Sequence, residues 1–132
     1  MSFLLDTNIC SAHMRRPAGL MHRFVQHGGQ LHLSAIALAE LYAGAHMLPD
    51  PTKRLAEIED LRSAMRVLGF GDAEAHAFGQ LRGELRRIGH TVNPIDLLIA
   101  STAIANNLAL VTHNVKHFAD IPGLRFEDWL AE

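Results

Sequence analysis

Three acidic residues stand in the sequence where carboxylates could act together in catalysis. Asp6 ends the short apolar run 2–5, Glu40 lies within a run of small and apolar residues, and Asp96 directly precedes Leu97–Ala100. Carboxylates about 5 Å apart repel by roughly 3 kcal/mol per pair at an effective dielectric near 20. Three converging acids therefore need a cation to stay ionised, since their repulsion rivals the stability of a domain. An all-oxygen set suits Mg²⁺ or Mn²⁺, which promote phosphodiester hydrolysis.

Each acid also has a simpler interpretation, which the sequence leaves open. Asp6 could cap the helix that follows it, as could Thr7 or Asn8. Asp96 could be an ordinary acid in the first turn of a helix, where it meets the positive end of the helix dipole. Glu40 could reach solvent from the edge of a buried stripe.

The neighbours of Glu40 on a helix make its position unusual. At helical spacing its face is shared by small and apolar residues, namely Ile36, Ala37, Ala43 and Gly44. We expect this face to pack against a sheet, where a carboxylate is costly unless something pairs with it. On this reasoning Glu40 and Asp96 carry more weight than Asp6.

Strands and helices are predicted to alternate along the chain, which indicates an α/β fold with a mostly parallel sheet. The predicted strands are 2–5, 31–34, 66–70, 108–112 and 124–126, and the longer predicted helices are 35–47, 52–65, 72–88 and 93–107. The predicted helix N-caps are Ser34, Asp72, Asn93 and Asn114.

A fourth polar segment, Thr112–Asn114, follows the predicted strand 108–112. In open parallel sheets the functional crevice lies at the carboxyl ends of the strands, where Asp6 is also expected. Thr112 and Asn114 would supply neutral oxygens there, able to orient a carboxylate or a metal-bound water.

At these residues the sequence resembles the PIN-domain ribonucleases, specifically the VapC-type toxins of bacterial type II toxin–antitoxin systems. The matching segments are Leu4–Ile9, Leu33–Leu41, Pro94–Ala100 and Leu110–Phe118. The closing segment Gly123–Trp129 resembles the subgroup found in enteric bacteria. The match follows essentially the whole chain in order and spacing.

The resemblance implies roles for individual residues. It places metal-binding acids at Asp6, Glu40 and Asp96, and a fourth catalytic position at Asn114, where the family has an Asp or often an Asn. An Asn binds a cation more weakly than a carboxylate, so a second ion is expected to arrive with the RNA. The residues implied to hold the acids in place are Thr7, Asn8, Ser34 and Thr112.

The resemblance also implies an architecture and partners. The fold would be a three-layer α/β/α PIN-like domain with a central sheet of about five strands. The protein would be a Mg²⁺- or Mn²⁺-dependent endoribonuclease toxin that inhibits translation, with initiator tRNA as the best substrate guess. It would form a homodimer and bind a cognate VapB-like antitoxin.

Composition restricts how such a protein could bind RNA. The 132 residues are consistent with one domain, 1–132, and 48% of them are hydrophobic, enough for a core. The net charge of −2 excludes binding through bulk positive charge, so local cations would have to guide the RNA backbone. The candidate RNA-binding residues are Arg15, Arg16, Arg82, Arg86, His113 and Lys116.

The expected location is the cytoplasm. Cys10 is the single cysteine, which fits a reducing compartment and a small buried side chain. The segment 1–8 has neither the basic region nor the apolar length of a signal peptide, and no apolar run suits a membrane span.

Two other functions remain open from the residues alone. A haloacid-dehalogenase-like phosphatase also begins with a strand that ends in Asp, but it needs a second Asp where this chain has Asn8. A non-catalytic, receiver-like binding domain would leave Glu40 and Asp96 without an explanation.

Overall fold

The computed structural model describes residues 1–15 and 17–130 of the chain. Five strands are present in that part: β1 Phe3–Leu5, β2 Leu31–Ser34, β3 Arg66–Leu68, β4 Ala109–Val111 and β5 Phe126–Glu127. The helices there are α1 Thr7–Arg15, α2 Pro17–Gln26, α3 Ala35–His46, α4 Thr52–Ser63, α5 Asp72–Arg87, α6 Pro94–Ala105 and α7 Val115–Phe118. No described helix has both the length and the apolarity that a membrane crossing requires.

The strands form one parallel sheet in the order β3-β2-β1-β4-β5. Right-handed crossovers in this order place α1–α4 on one face and α5–α7 on the other. Most helix contacts agree, since α1 touches α2, α3 and α4, while α6 touches α5 and α7. In addition, α3 touches α6. The predicted α/β/α architecture is confirmed, and the sheet is parallel throughout rather than mostly so.

The order of the strands reverses direction at β1, because the chain leaves it first toward β2 and β3 and later returns on its other side with β4. Such a reversal opens a crevice at the carboxyl ends of the two central strands. Every residue of β1 and β4 is buried, as expected for strands covered by helices on both faces. Two rigid neighbouring strands therefore deliver Asp6 and Thr112 to the same crevice.

Two of the predicted helix caps are confirmed. Ser34 Oγ accepts a hydrogen bond from the backbone N–H of Ala37 at 3.0 Å, which starts α3. Asn93 Oδ1 accepts from the N–H of Ile95 at 2.9 Å, directly before Pro94 at the start of α6. These caps matter for the site, because α3 carries Glu40 and α6 carries Asp96.

The other two predicted caps are wrong in detail. Asp72 is the first residue of α5, and the cap is Gly71, whose N–H donates to Glu74 Oε1 at 2.8 Å. Asn114 occupies the cap position of α7, but its side chain makes no capping bond. Instead its backbone N–H donates to Thr112 Oγ1 at 3.0 Å, which joins this turn to the crevice.

Strand ends also differ from prediction by a few residues. The third strand stops at Leu68 rather than 70, and the last is Phe126–Glu127 rather than 124–126. Cys10 is fully buried, as expected, and its burial raises the pKa of its thiol.

Candidate active site

Asp6 is the most deeply placed acid of the crevice, with only 4% of its surface exposed. Its Oδ2 accepts a hydrogen bond from the Thr112 hydroxyl at 2.9 Å, and its Oδ1 accepts from the N–H of Thr7 at 2.8 Å. Its backbone carbonyl accepts from the N–H groups of Ile9 and Cys10, which begins α1. Asp6 therefore helps to start the helix, yet one carboxylate oxygen is held across the sheet by β4.

Burial raises the pKa of the Asp6 carboxyl above its ordinary value of 3.8. The hydrogen bonds from Thr112 and Thr7 oppose that shift, and the negative charges of Asp96 and Glu40 add to it. The three acids are thus close enough to influence one another. A buried carboxylate under these conditions gains from a nearby cation, since a cation offsets both the desolvation and the repulsion.

Glu40 is exposed, contrary to the prediction that its helix face packs against the sheet. Of the four residues predicted to share its face, Ala37 is buried and Ile36 half-buried, whereas Ala43 and Gly44 are exposed. Glu40 therefore lies at the edge of the buried stripe. Small and apolar neighbours predicted a buried face, but such residues also occur on exposed parts of a helix, as Ala43 and Gly44 do here. The Glu40 carboxylate is fixed locally, because Thr7 Oγ1 donates to its Oε1 at 2.6 Å.

Asp96 lies in the first turn of α6, as predicted, and its side chain is 19% exposed. Its Oδ2 is 3.1 Å from Nδ1 of His117 on α7. The His117 contact could not be foreseen, since the two residues lie on different helices.

The fourth corner is formed by the turn after β4. Thr112 is fully buried, and its hydroxyl donates to Asp6 while accepting from the N–H of Asn114. The Asn114 side chain itself is exposed. Thr112 is therefore the physical link between the buried acid and the exposed corner.

A further acid, Asp128, borders the crevice and was missed by sequence reasoning. Nδ1 of His113 lies 3.1 Å from Asp128 Oδ2, and the N–H of His113 donates to Asn8 Oδ1 at 3.3 Å. Asn8 Nδ2 is buried without a hydrogen-bond partner among the described residues. Asp128 lies within the recognised segment Gly123–Trp129, but nothing in its spacing pointed to a contact with His113.

The hydroxyl of Ser34 does not contact an acid, because the backbone N–H of Ala37 uses it for the cap of α3. Ser34 therefore affects the position of Glu40 only by capping α3, the helix that carries Glu40. Of the three other residues implied to hold the acids, Thr7 contacts Glu40 and Thr112 contacts Asp6 directly. Asn8 instead accepts a hydrogen bond from the backbone N–H of His113.

The candidate RNA-binding residues occupy separate places. Arg15 ends α1, Arg82 and Arg86 lie on α5, and Lys116 lies on α7 beside Asp96, and all four are exposed. His113 is exposed as well but contacts Asp128. Arg16 lies outside the described residues.

The acids form an open set rather than a closed cage. Within residues 1–15 and 17–130, no three His, Cys, Asp or Glu side chains lie together as a ready-made metal cluster. Glu40 is turned to Thr7, and Asp96 to His117. The donors of Asp6, Glu40 and Asp96 are all oxygen, which fits a hard divalent ion such as Mg²⁺ and not zinc.

The PIN-domain family model matches residues 3–124, which is most of the chain. The parallel sheet and the acids at its central crevice are in keeping with this match. The chain therefore belongs to the PIN-domain family, and neither the phosphatase nor the receiver-like alternative is supported.

The curated relatives define the group more narrowly. The chain is 40% identical over 130 residues to the tRNA(fMet)-specific endonuclease VapC of Shigella flexneri, with 98% of each chain covered. It is 35% identical over 131 residues to ribonuclease VapC2 of Haemophilus influenzae, covering 98% of this chain and 99% of that one. Among solved structures, a chain of the DNA-bound VapBC complex from Salmonella typhimurium has a TM-score of 0.93 at 38% identity, with 98% of each covered. The chain is thus a ribonuclease of the VapC group.

Proposed function

We propose that this chain is the toxin of a type II toxin–antitoxin system and acts as a divalent-metal-dependent endoribonuclease. The observation that carries the proposal is the buried Asp6 carboxylate, which faces the charges of Glu40 and Asp96 at the sheet crevice. A protein has little reason to bury a carboxylate among like charges unless a cation compensates them.

Asp6, Glu40 and Asp96 would hold the ion, which is Mg²⁺ or Mn²⁺ by the chemistry of the donors. When bound, the ion activates water and stabilises the charge that develops on the phosphodiester oxygens. Asn114 is exposed at the same edge, where its amide oxygen can orient the attacking water or add a weak ligand when RNA arrives.

The remaining residues position these acids. Thr112 and the N–H of Thr7 each occupy one oxygen of Asp6, which fixes the plane of its carboxylate. The Thr7 hydroxyl holds Glu40, so Thr7 alone connects two of the three acids. His117 lies against Asp96, with its Nδ1 3.1 Å from Asp96 Oδ2, and orients this carboxylate.

The substrate we propose is initiator tRNA, cut in its anticodon loop so that translation stops. The support is the name of the Shigella relative, a tRNA(fMet)-specific endonuclease that this chain matches over 98% of its length. Such a substrate places the activity in the cytoplasm. We also propose a VapB-like antitoxin as partner, because the similar chain from Salmonella was solved in a VapBC complex, and a homodimer as the toxin's own assembly.

The decisive experiment is cleavage of tRNA(fMet) by the purified chain with Mg²⁺, with Mn²⁺ and with excess EDTA. We expect cuts only with the metals, leaving 5′-phosphate and 3′-hydroxyl ends, and none by Asp96→Asn. Cutting in EDTA, or undiminished cutting by Asp96→Asn, would refute the metal mechanism. Cutting of other RNAs at the same rate would refute only the choice of substrate.

A further inference from the structure

A groove begins at Asp96 and runs away from the acids along the junction of α5 and α6. Its first part has a volume of about 400 Å³ and is lined by Asp96, Lys116, His117 and the segment 90–93. Its second part, of about 260 Å³, shares residues 90–92 with the first and continues along α5. The segment 90–92 thus joins the two hollows into one path that starts at a candidate catalytic acid.

The rim of the second part is cationic. Arg82 and Arg86 line it and are exposed. They stand four residues apart on α5, so they lie on the same face one helical turn from each other. With Lys116 on the first part, the groove offers three cations in succession leading away from Asp96.

These cations are not used within the protein. Of the described residues, Arg82, Arg86 and Lys116 take part in none of the ion pairs within 4.0 Å. The sequence explains why for the two arginines, because no acid stands three or four residues from either on α5. Their charges therefore remain available to an anionic ligand.

The arginines of α4 show the opposite arrangement. Arg54 pairs with Glu57 at 3.1 Å, and Arg62 pairs with Glu59 at 3.5 Å. Both pairs are one turn apart on an exposed helix, which is the ordinary way a helix neutralises its surface charges. The free arginines of α5 are thus a property of that helix rather than of arginine on this surface.

The floor of the second part is apolar. Leu85, Val92 and Leu97 line it, and all three are buried residues of the core. An apolar floor beneath a cationic rim fits a nucleotide, whose base or ribose can lie on the floor while its phosphate meets the rim. An acidic peptide could pair with the cations of the rim. It would be repelled by the acids toward which the groove leads, whereas RNA must reach them to be cut.

We propose that this groove binds single-stranded RNA on one side of the scissile phosphate, with Arg82 and Arg86 contacting its backbone. The inference rests on the proposed function, since it assumes that the phosphate to be cut lies at Asp96. It also explains how a chain of net charge −2 binds a polyanion, because the needed cations are concentrated along one path.

The test compares two double variants that each remove two positive charges. Arg82→Gln with Arg86→Gln removes the free arginines, and Arg54→Gln with Arg62→Gln removes the paired ones as a matched control. For each we would measure cleavage of tRNA(fMet) with Mg²⁺, and binding of the same tRNA in EDTA, between 50 and 200 mM KCl. Circular dichroism would verify that both variants fold.

The α5 variant should raise KM and the Kd in EDTA by about tenfold or more, with a smaller change in kcat. The slope of log Kd against log salt should decrease by about two, one for each lost phosphate contact. The α4 variant should bind and cut like the parent.

Equal behaviour of the two variants would overturn the groove proposal while leaving the nuclease intact. Loss of antitoxin binding in the α5 variant, with RNA binding unchanged, would also overturn it and assign the surface to the protein partner. If the parent binds tRNA through α5 but never cuts it, the proposed function fails and the groove stands. A parent that neither binds nor cuts would overturn both.

Discussion

The crevice has a buried half and an exposed half, and the two are built differently. Asp6 and Thr112 directly follow the central strands β1 and β4, are almost completely buried, and are linked by a hydrogen bond. Glu40 and Asp96 belong to helices on opposite faces of the sheet, and each contacts its own neighbour, Thr7 or His117. The comparison indicates that the sheet positions one proposed metal ligand in the buried half, whereas helices bring the other two proposed ligands to the more open half.

Replacing Asp6, the buried acid, should have the largest effect on cleavage. We expect Asp6→Asn to lower the cleavage rate of tRNA(fMet) by roughly 10³-fold or more, because it removes the charge that we propose to bind the metal, worth several kcal/mol to the transition state. Single-turnover cleavage measures this, and circular dichroism should show an intact fold. A loss below tenfold would mean that the buried half is structural only.

Removing the hydrogen bond from Thr112 to Asp6 should have the second largest effect on cleavage. Thr112→Val removes the donor to Asp6 and the acceptor of the Asn114 N–H, so we expect cleavage to fall by about 10–100-fold. Thr102→Val is the matched control, because Thr102 is equally buried but its hydroxyl donates to the backbone carbonyl of Leu98 within α6 and contacts none of the acids. Both variants should lose some thermal stability. If both lost activity equally, Thr112 would have no specific role.

The stabilisation by a bound metal should differ between variants of the buried half and variants of the exposed half. By mass action, saturating Mn²⁺ should raise the melting temperature of the parent, since an ion at 100 times its Kd contributes about 2.7 kcal/mol. We expect a smaller rise in Glu40→Gln and the smallest in Asp6→Asn. Calorimetry with and without Mn²⁺ measures this. Identical rises in all three proteins would place the ion elsewhere.

The smallest effect concerns stability without metal. The folded-state pKa of Asp6 is raised above 3.8, so its favourable contribution is complete below that pH and is lost as the pH rises through the raised pKa. At pH 7 in EDTA, Asp6→Asn should therefore melt at a higher temperature than the parent, and the difference should vanish as the pH falls below 3.8. Because Glu40 is exposed, Glu40→Gln should not raise the melting temperature to a comparable extent. A lower melting temperature for Asp6→Asn at pH 7 would contradict this account.

Local sequence predicted the elements well where a side chain makes its contact within a few residues. The caps at Ser34 and Asn93 depend on bonds to the next two or three N–H groups, and both were predicted. The cap of α5 was misplaced by one residue, because Asp72 resembles a cap by type while the bond is made by Glu74 to Gly71. Short strands such as β5 have too few residues for their ends to be fixed by pattern alone.

The prediction that Glu40 is buried was wrong for a physical reason. Small apolar neighbours predicted a buried Glu40, but the exposed face of α3 carries small residues too. Asp6 offered little by itself, because an acid at the start of a helix is common. Its burial results from the sheet, and its bond to Thr112 joins residues 106 positions apart. The contacts of Asp128 with His113 and of His117 with Asp96 could not be predicted for the same reason, because each joins residues of separate segments of the chain.

The sequence by itself determined the alternation of strands and helices, the oxygen chemistry of Asp6, Glu40 and Asp96, and the absence of an acid three or four residues from Arg82 or Arg86. These properties are local, since they follow from residue types and from spacing along one helix or strand. The tertiary structure decided which acid is buried, which residues hold each acid, and that the free arginines line a path from Asp96. Those facts depend on strand order and helix packing, which bring together residues that no spacing along the chain relates.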